Sequence, residues 1–276
     1  MRTLKGWRIL VPRPQGQGES LAERLRSLGA EPLLFPAIRI EPPENWMPVD
    51  DALRRAPAFH WVVFTSANGV RMAMERLQAL GLGPEHLRRT RLAVVGPATL
   101  QALQHHGLVS TAMPSQFLTE AIADALGDVH GQRILLLRSE GARKALVDLL
   151  TARGAQVEEV AVYRVVPRQD GAELQRLLAP LPHLVVLTSP SIARALASLA
   201  LCLQPPVSPG QLPAVCIGPI TAISARQEGF PVIAVAVQHS EDGLIDAVLE
   251  AVGRYPTTLY REVACDPNCQ QEPGPR

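Results

Sequence analysis

The sequence contains an internal repeat in which a strand-like segment is followed by a helix-like segment. Residues 8–40 and 133–165 are identical at ten of 33 ungapped positions, where about two or three identities are expected from average residue usage. Each copy runs from an apolar segment through an arginine and a glycine-containing loop to an amphipathic segment and a Gly-Ala turn. The chain is therefore predicted to use one strand–helix unit at least twice.

Two short motifs after each copy extend the repeat. VVFTS at 62–66 corresponds to VVLTS at 185–189, and GPAT at 96–99 corresponds to GPIT at 218–221. Strands that alternate with helices predict parallel sheets with right-handed crossovers. The apolar segments are short and continuous, which indicates strands covered on both faces. The predicted fold class is α/β, with two equivalent halves.

Length and charge exclude several classes of protein. The 276 residues, 47% of them hydrophobic, suffice for one large domain or two small ones. The net charge of +1 and the few aromatic residues do not favour nucleic-acid binding. Apolar runs of 18 residues are absent from the sequence, which predicts no membrane span, and the first residues do not resemble a signal peptide. We expect the protein in the cytoplasm.

The four cysteines give no clear metal-binding pattern. Cys202 and Cys216 lie in apolar segments and are predicted to be core residues. Cys265 and Cys269 lie in a polar, proline-containing tail, and their spacing fits a zinc knuckle poorly. No metal site is predicted.

Four junctions between a strand and the following helix are candidate anion-binding sites. Thr65-Ser66 and the matching pair that ends at Ser189 each close a strand, and the GPAT and GPIT motifs place Thr99 and Thr221 at two further junctions. Glycine allows close approach of a ligand, proline suits the first helical turn, and serine or threonine can cap it. Free N–H groups at such positions bind carboxylates and phosphates. Ordinary helix capping explains the same residues.

Arg13 and Arg138 occupy the same position in the two copies, directly after the first apolar segment. They are either solvated loop residues or ligands for carboxylates, whose geometry a guanidinium group matches. Tyr163 lies in a strand-like segment, where a phenol usually packs but can also donate a proton. The known motifs of metalloproteases, serine hydrolases, P-loops and dinucleotide-binding loops are absent from the sequence.

Taken together, the motifs resemble the uroporphyrinogen-III synthase family over residues 8 to about 251. The matching segments are Arg13-Pro14, VVFTSANGV at 62–70, VVGPAT at 94–99, RILLLRSEGAR at 133–143, VYR at 162–164, LTSPS at 187–191, CIGPITA at 216–222 and DGLIDAV at 242–248. The resemblance implies an enzyme without a cofactor. It converts the linear hydroxymethylbilane to uroporphyrinogen III by inverting ring D and closing the macrocycle with loss of water.

The resemblance also implies two flavodoxin-like parallel-sheet lobes joined by a two-stranded linker, with the chain crossing twice and the substrate in the cleft. One lobe would contain residues 1–38 and 168–253, the other 42–160, with linkers at 39–41 and 161–167. Residues 254–276 would be a disordered tail. The repeat alone also allows two sequential lobes that divide near residue 127.

Carried over residue by residue, the resemblance implies that Tyr163 is catalytic and assists departure of the hydroxyl group. The positions implied to bind substrate are Arg13, Thr65, Ser66, Asn68, Thr99, Arg138, Ser189 and Thr221. The implied protein is a monomer that contacts hydroxymethylbilane synthase transiently. The alternatives are a two-lobed protein that binds an anion without catalysis and a flavodoxin-like module that binds flavin mononucleotide.

Overall fold

The computed structural model describes residues 3–115 and 120–254. The strands in this part of the chain are β1 (Arg8–Val11), β2 (Glu31–Leu34), β3 (Ile38–Glu41), β4 (Trp61–Phe64), β5 (Arg91–Val94), β6 (Arg133–Ser139), β7 (Gln156–Pro167), β8 (Leu184–Leu187), β9 (Ala214–Cys216) and β10 (Val232–Val235). Short 3-10 helices lie at Ala56–Ala58, Pro84–Arg89 and Pro209–Gln211.

The helices alternate with these strands. They are α1 (Glu19–Ser27), α2 (Met47–Arg54), α3 (Ala67–Ala79), α4 (Pro97–His105), α5 (Ile122–Ala125), α6 (Ala145–Ala152), α7 (Ala172–Leu177), α8 (Pro190–Leu201), α9 (Pro219–Gln227) and α10 (Glu241–Arg254). Within the described residues, none of these helices is long and apolar enough to cross a membrane.

The described chain divides into two compact units. The continuous unit is Ile40–Val165, and the discontinuous unit combines residues 3–39 with 166–254. The chain passes from one unit to the other within β3 and again within β7, and these two strands are neighbours in one sheet. Strand β1 and helix α1 therefore fold with residues 166–254.

The discontinuous unit contains a five-stranded sheet in the order β10-β9-β8-β1-β2. Each neighbouring pair is parallel, with β1 between β2 and β8. On one face of the sheet, Ile9 and Val186 pack with Leu21 of α1 and Leu244 of α10 in a single apolar cluster. All four residues of β8 are buried, in agreement with the continuous apolar pattern of the sequence.

The continuous unit contains a second five-stranded sheet in the order β3-β7-β6-β4-β5. The pairs that β4 forms with β5 and β6, and the pair of β6 with β7, are parallel. Alternate residues along β4 enter different clusters, with Val62 on the α3 side and Val63 on the side of α5 and α6. This alternation buries both faces of the sheet and explains why β4 has no polar residue.

Four neighbouring strands in each sheet correspond to one another through the repeat. The pair β1–β2 corresponds in the repeat to β6–β7, and β8–β9 corresponds to β4–β5. The Gly-Ala turns after α1 and α6 adopt the same left-handed conformation, with φ of 94° at Gly29 and 81° at Gly154. An L-residue is strained in that conformation, so both copies retain glycine there. The predicted mixed α/β fold is confirmed, with two sheets that are predominantly parallel.

Some details differ from the sequence-based expectation. Cys216 is buried, but Cys202 is exposed because α8 ends at Leu201 and Cys202 forms its C-cap. The last helix includes Arg254, which the sequence assigned to the tail. The rest of that tail, with Cys265 and Cys269, lies outside the described residues.

Candidate functional site

The carboxyl end of β4 leads directly into α3 in the continuous unit. Ser66 is the N-cap of α3, and its Oγ accepts a hydrogen bond of 3.0 Å from the backbone N–H of Gly69. Thr65 and Asn68 lie on either side of this cap and are half-buried. The side chain at each of these positions is therefore placed at the edge of the sheet where ligands bind in open α/β folds.

Tyr163 reaches the same edge from β7. Its hydroxyl oxygen lies 2.9 Å from Oγ of Ser66, which is within hydrogen-bonding distance. The tyrosine is 6% exposed, and its ring belongs to the apolar cluster on the α3 side of the sheet. The structure thus brings together two of the residues that the sequence selected 97 positions apart.

A change of strand register directs Tyr163 toward α3. Arg138 of β6 is opposite Ala161 of β7, but the next residue, Ser139, is opposite Tyr163. Val162 is thereby left without a partner in β6, and both Val162 and Tyr163 enter the cluster on the α3 side. In a regular strand, successive side chains point to opposite faces. The bulge places the phenol beside Ser66.

Thr99 and Thr221 occupy equivalent positions, one in each unit. Each is the third residue of its helix, after an N-cap glycine and a proline, and neither helix has a side-chain cap. The expectation that these threonines cap their helices is therefore wrong. Both are buried, at 5% and 4% exposure. They lie one strand away from the serine-capped junctions, because β5 neighbours β4 and β9 neighbours β8.

Arg138 does not lie in a loop. It is the penultimate residue of β6 and only 4% exposed, so it is neither a solvated arginine nor placed like Arg13. Its Nη1 donates to Oε1 of Glu159 at 2.8 Å, and its Nη2 donates to the carbonyl oxygen of Arg143 at 3.1 Å. Lys144 also contacts Glu159, at 2.5 Å. The protein itself thus engages two nitrogens of the guanidinium group, whereas the third, Nε, is buried without a hydrogen-bond partner.

Ser189 repeats the role of Ser66 in the discontinuous unit. It is the N-cap of α8 and accepts a hydrogen bond of 3.3 Å from the N–H of Ile192. Its hydroxyl group is also hydrogen-bonded to Ser191, at 3.0 Å, and not to a tyrosine. The position that corresponds to Tyr163 in the repeat is Ile38.

Cys216 closes β9 near this edge but is not a candidate nucleophile. Burial raises the pKa of its thiol to about 12, and the charge of Arg226 offsets this only in part. Because the thiolate is the reactive form of cysteine, Cys216 is inert at neutral pH.

Arg13 lines a cavity of about 350 Å³ within the discontinuous unit. The cavity lies at the carboxyl ends of β1 and β2, and its wall includes Gly18, Phe35 and Arg168. Arg13 forms an ion pair with Glu241, whose second oxygen accepts a hydrogen bond of 3.0 Å from Ser20. The arginine is thus held in place at the cavity wall.

Arg168 is a cavity residue that the sequence analysis did not select. Its guanidinium carbon lies 5.1 Å from the centre of the Phe35 ring, and its Nη1 pairs with Glu173 at 2.8 Å. The sequence signal was its position directly after Pro167, the last residue of the expected linker 161–167. Nothing in the repeat marks it, because the second copy ends before it.

These observations define a class of protein. Each unit contains an open, predominantly parallel sheet with helices that begin along its carboxyl edge, which is the usual place for small anionic ligands in α/β proteins. The family model described as uroporphyrinogen-III synthase HemD matches residues 19–246. The chain belongs to the uroporphyrinogen-III synthase family, and the resemblance noted in the sequence is confirmed.

Curated relatives agree with this assignment. The uroporphyrinogen-III synthase of Escherichia coli K12 is 31% identical over 199 residues, which cover 69% of this chain and 79% of that protein. The synthase of Synechococcus elongatus is 35% identical over 162 residues, or 58% of this chain and 61% of that protein. A porphyrin biosynthesis protein HemD of Ruminiclostridium josui is 28% identical over 91% of this chain and 50% of its own length. The chain thus spans about half the length of the Ruminiclostridium josui protein and about three-fifths of the Synechococcus elongatus synthase.

Two solved structures share the fold. A uroporphyrinogen III synthase of the extremely thermophilic bacterium Thermus thermophilus aligns with a TM-score of 0.62 and 20% identity, covering 91% of this chain and all of that one. A uroporphyrinogen-III synthetase of Helicobacter pylori 26695 aligns with a TM-score of 0.58 and 20% identity, covering 91% of this chain and 99% of that one.

Proposed function

We propose that this chain cyclises hydroxymethylbilane to uroporphyrinogen III, with inversion of ring D and loss of one water. Membership of the family supports the reaction. The observation in the structure that supports it best is the 2.9 Å contact between the hydroxyl groups of Tyr163 and Ser66, at the carboxyl edge of the sheet. This edge is where a substrate of an α/β enzyme is expected to bind.

The reaction requires little acid–base chemistry from the protein. The hydroxyl of the substrate and a pyrrole proton leave together as water, and the resulting azafulvene carbon bonds to the substituted end of ring D. The spiro compound that forms then fragments and closes again in the inverted orientation. We assign to Tyr163 a hydrogen bond that assists the departing hydroxyl, because a phenol is the proton donor placed at this edge.

Positioning is the larger task, since unassisted substrate closes to isomer I. The substrate has eight carboxylates, and anions bind at helix N-termini through free N–H groups. We assign carboxylate binding to Arg13 at its cavity and to the starts of α3, α4, α8 and α9. The residues at or next to these helix starts are Thr65, Asn68, Thr99, Ser189 and Thr221. The buried threonine hydroxyls leave the backbone N–H groups as the main donors.

The test is an assay with freshly prepared hydroxymethylbilane, followed by separation of the uroporphyrinogen isomers. Isomer III formed faster than spontaneous closure supports the proposal. Isomer I alone, at the spontaneous rate, contradicts it. A third result would be that hydroxymethylbilane binds, seen as quenching of the protein's fluorescence, but the isomer ratio does not change. In that case the anion-binding alternative is the correct function.

We infer further that the enzyme works in the cytoplasm as a monomer and receives its substrate through transient contact with hydroxymethylbilane synthase. The instability of the substrate supports such contact, because free hydroxymethylbilane closes to the wrong isomer. Coupled assays test it: a diluted mixture of the two enzymes should release less isomer I than separate, sequential incubations. Sedimentation velocity tests the monomer.

A further inference from the structure

The N-cap of α3 and the tyrosine of β7 form one hydrogen-bonded chain. The N–H of Gly69 donates to Oγ of Ser66 at 3.0 Å, and Oγ of Ser66 is 2.9 Å from the hydroxyl of Tyr163. The helix approaches β6 and β7 closely here, since a Cβ added to Gly69 would lie 3.3 Å from the carbonyl oxygen of Leu137 in β6 and 3.9 Å from Cε1 of Tyr163 in β7. The hydroxyl of Ser66 is therefore held by the helix backbone, and the hydroxyl of Tyr163 by Ser66.

The hydrogen-bonding capacity of a serine hydroxyl allows Ser66 to donate to Tyr163, and the 2.9 Å contact is compatible with either direction. Ser66 has one proton to donate and two lone pairs, and one lone pair is already used by the N–H of Gly69. If Ser66 donates its proton to the oxygen of Tyr163, the tyrosine keeps its own proton for another acceptor. Each donor in such a chain strengthens the next. The helix N-terminus adds a positive potential that stabilises negative charge developing on the phenol oxygen.

We propose that Ser66 is a positioning residue that acts through Tyr163, and not a ligand for substrate carboxylates. Its hydroxyl fixes the phenol and donates to it, so that the phenol proton is directed to the departing hydroxyl group. This inference rests on the proposed function of Tyr163. It replaces the substrate-binding role that the family resemblance implies for Ser66.

The repeat shows that this arrangement is not a general property of the cap. Ser189 caps the equivalent helix in the discontinuous unit, but its hydroxyl is paired with Ser191 at 3.0 Å. The position of the tyrosine is taken there by Ile38. The cap is common to both copies, whereas the tyrosine and the bulge that directs it belong to the continuous unit.

A double-mutant cycle tests the proposal with Ser66→Ala, Tyr163→Phe and the double variant, assayed for isomer III. We expect Ser66→Ala to lower kcat about tenfold with KM nearly unchanged. In the Tyr163→Phe background, Ser66→Ala should lower kcat no further, because the phenol hydroxyl through which Ser66 acts is already absent. Ser66→Thr, which keeps the hydroxyl and the cap, should restore most of kcat.

Two outcomes of the double-mutant cycle overturn the inference. One is an equal loss of kcat from Ser66→Ala with and without the tyrosine hydroxyl, and the other is a higher KM with unchanged kcat, as expected for a carboxylate ligand. Ser189→Ala removes a cap of the same kind and shows how much the loss of a cap alone lowers the melting temperature. If Ser66→Ala lowers kcat only in proportion to a loss of folded protein, the inference also fails.

A spectroscopic measurement separates failure of this inference from failure of the proposed function. In protein labelled with 13C at the tyrosine ζ carbon, Tyr163→Phe identifies the Tyr163 resonance. We expect Ser66→Ala to shift that resonance, whether or not the protein forms isomer III. An unchanged resonance contradicts the hydrogen bond itself, whereas isomer I alone from the wild-type protein contradicts only the proposed reaction.

Discussion

Nη1 of Arg138 donates a hydrogen bond of 2.8 Å to Glu159 on the neighbouring strand, and only 5% of the arginine side chain is exposed. Removing one partner of a buried pair leaves the other charge poorly compensated. We expect Arg138→Met to lower the free energy of unfolding by about 2–3 kcal/mol, since Glu159 keeps Lys144 as a partner. Urea unfolding measures this loss.

The matched control for Arg138 is Lys144→Met, which removes the other cation from the same carboxylate. Its side chain is 70% exposed, so this substitution should cost less than about 1 kcal/mol. A stable Arg138→Met protein with a higher KM would instead mean that Arg138 binds substrate.

Tyr163→Phe should lower kcat for isomer III by about tenfold or more, because a proton donor is lost while substrate positioning persists. The ring stays in its apolar cluster, so the melting temperature should change little. Rapid assay of the isomers gives kcat, and thermal unfolding gives the control. Unchanged turnover would remove the catalytic role of the phenol.

Arg13→Gln should raise KM several-fold and leave kcat nearly unchanged, because Arg13 lines the cavity that we assign to a substrate carboxylate. Arg24→Gln is its control. Arg24 of α1 also forms an ion pair with α10, to Asp242 at 2.6 Å, but it does not line the cavity. Equal effects of the two substitutions on KM would show that the ion pairs, and not the cavity, are responsible.

An ion pair between Asp50 of α2 and Arg76 of α3 contributes to the free energy of unfolding in a way that depends on pH. Arg76 donates to both oxygens of Asp50, at 2.5 and 2.6 Å, and this hydrogen bonding lowers the pKa of Asp50 below its ordinary 3.8. The stabilisation is therefore complete above about pH 3.8 and is lost as the pH falls through the lower, folded-state pKa.

Asp50→Asn should consequently destabilise the protein by about 1–2 kcal/mol at pH 7. The difference from the wild type should shrink as the pH falls below 3.8. Urea unfolding of both proteins between pH 7 and pH 3 measures it, and a difference that is constant with pH would contradict the assignment.

Cys202 and Cys216 should differ sharply in reactivity. Cys202 is exposed, whereas burial raises the pKa of Cys216 to about 12. In a Cys265→Ser/Cys269→Ser background, a thiol reagent at pH 8 should label one cysteine in the native protein and a second only after unfolding. Adding Cys202→Ser should abolish the native reaction. Rapid labelling of Cys216 would contradict its burial.

The repeat, the strand–helix alternation and the buried strands could be predicted because each depends on residues close together in the sequence. The bulge beside Tyr163 and the burial of Arg138 could not, since both depend on how β6 aligns with β7. The equivalence of Arg13 and Arg138 in the sequence even suggested a common role. The pairing of one with Glu241 and of the other with Glu159 shows that duplicated residues have acquired different surroundings.

The division of the chain also sets the order in which the two units can be completed during synthesis. The continuous unit is complete once Val165 has emerged, but β1 lacks its neighbour β8 until about 150 residues after the end of β2 have been made. At about 5–20 residues per second, this interval is roughly 7–30 s. Throughout it, one edge of the apolar strand β1 stays unpaired on the ribosome and open to aggregation. β1 is thus synthesised well before the strand that encloses it, and chaperones can bind it during that interval.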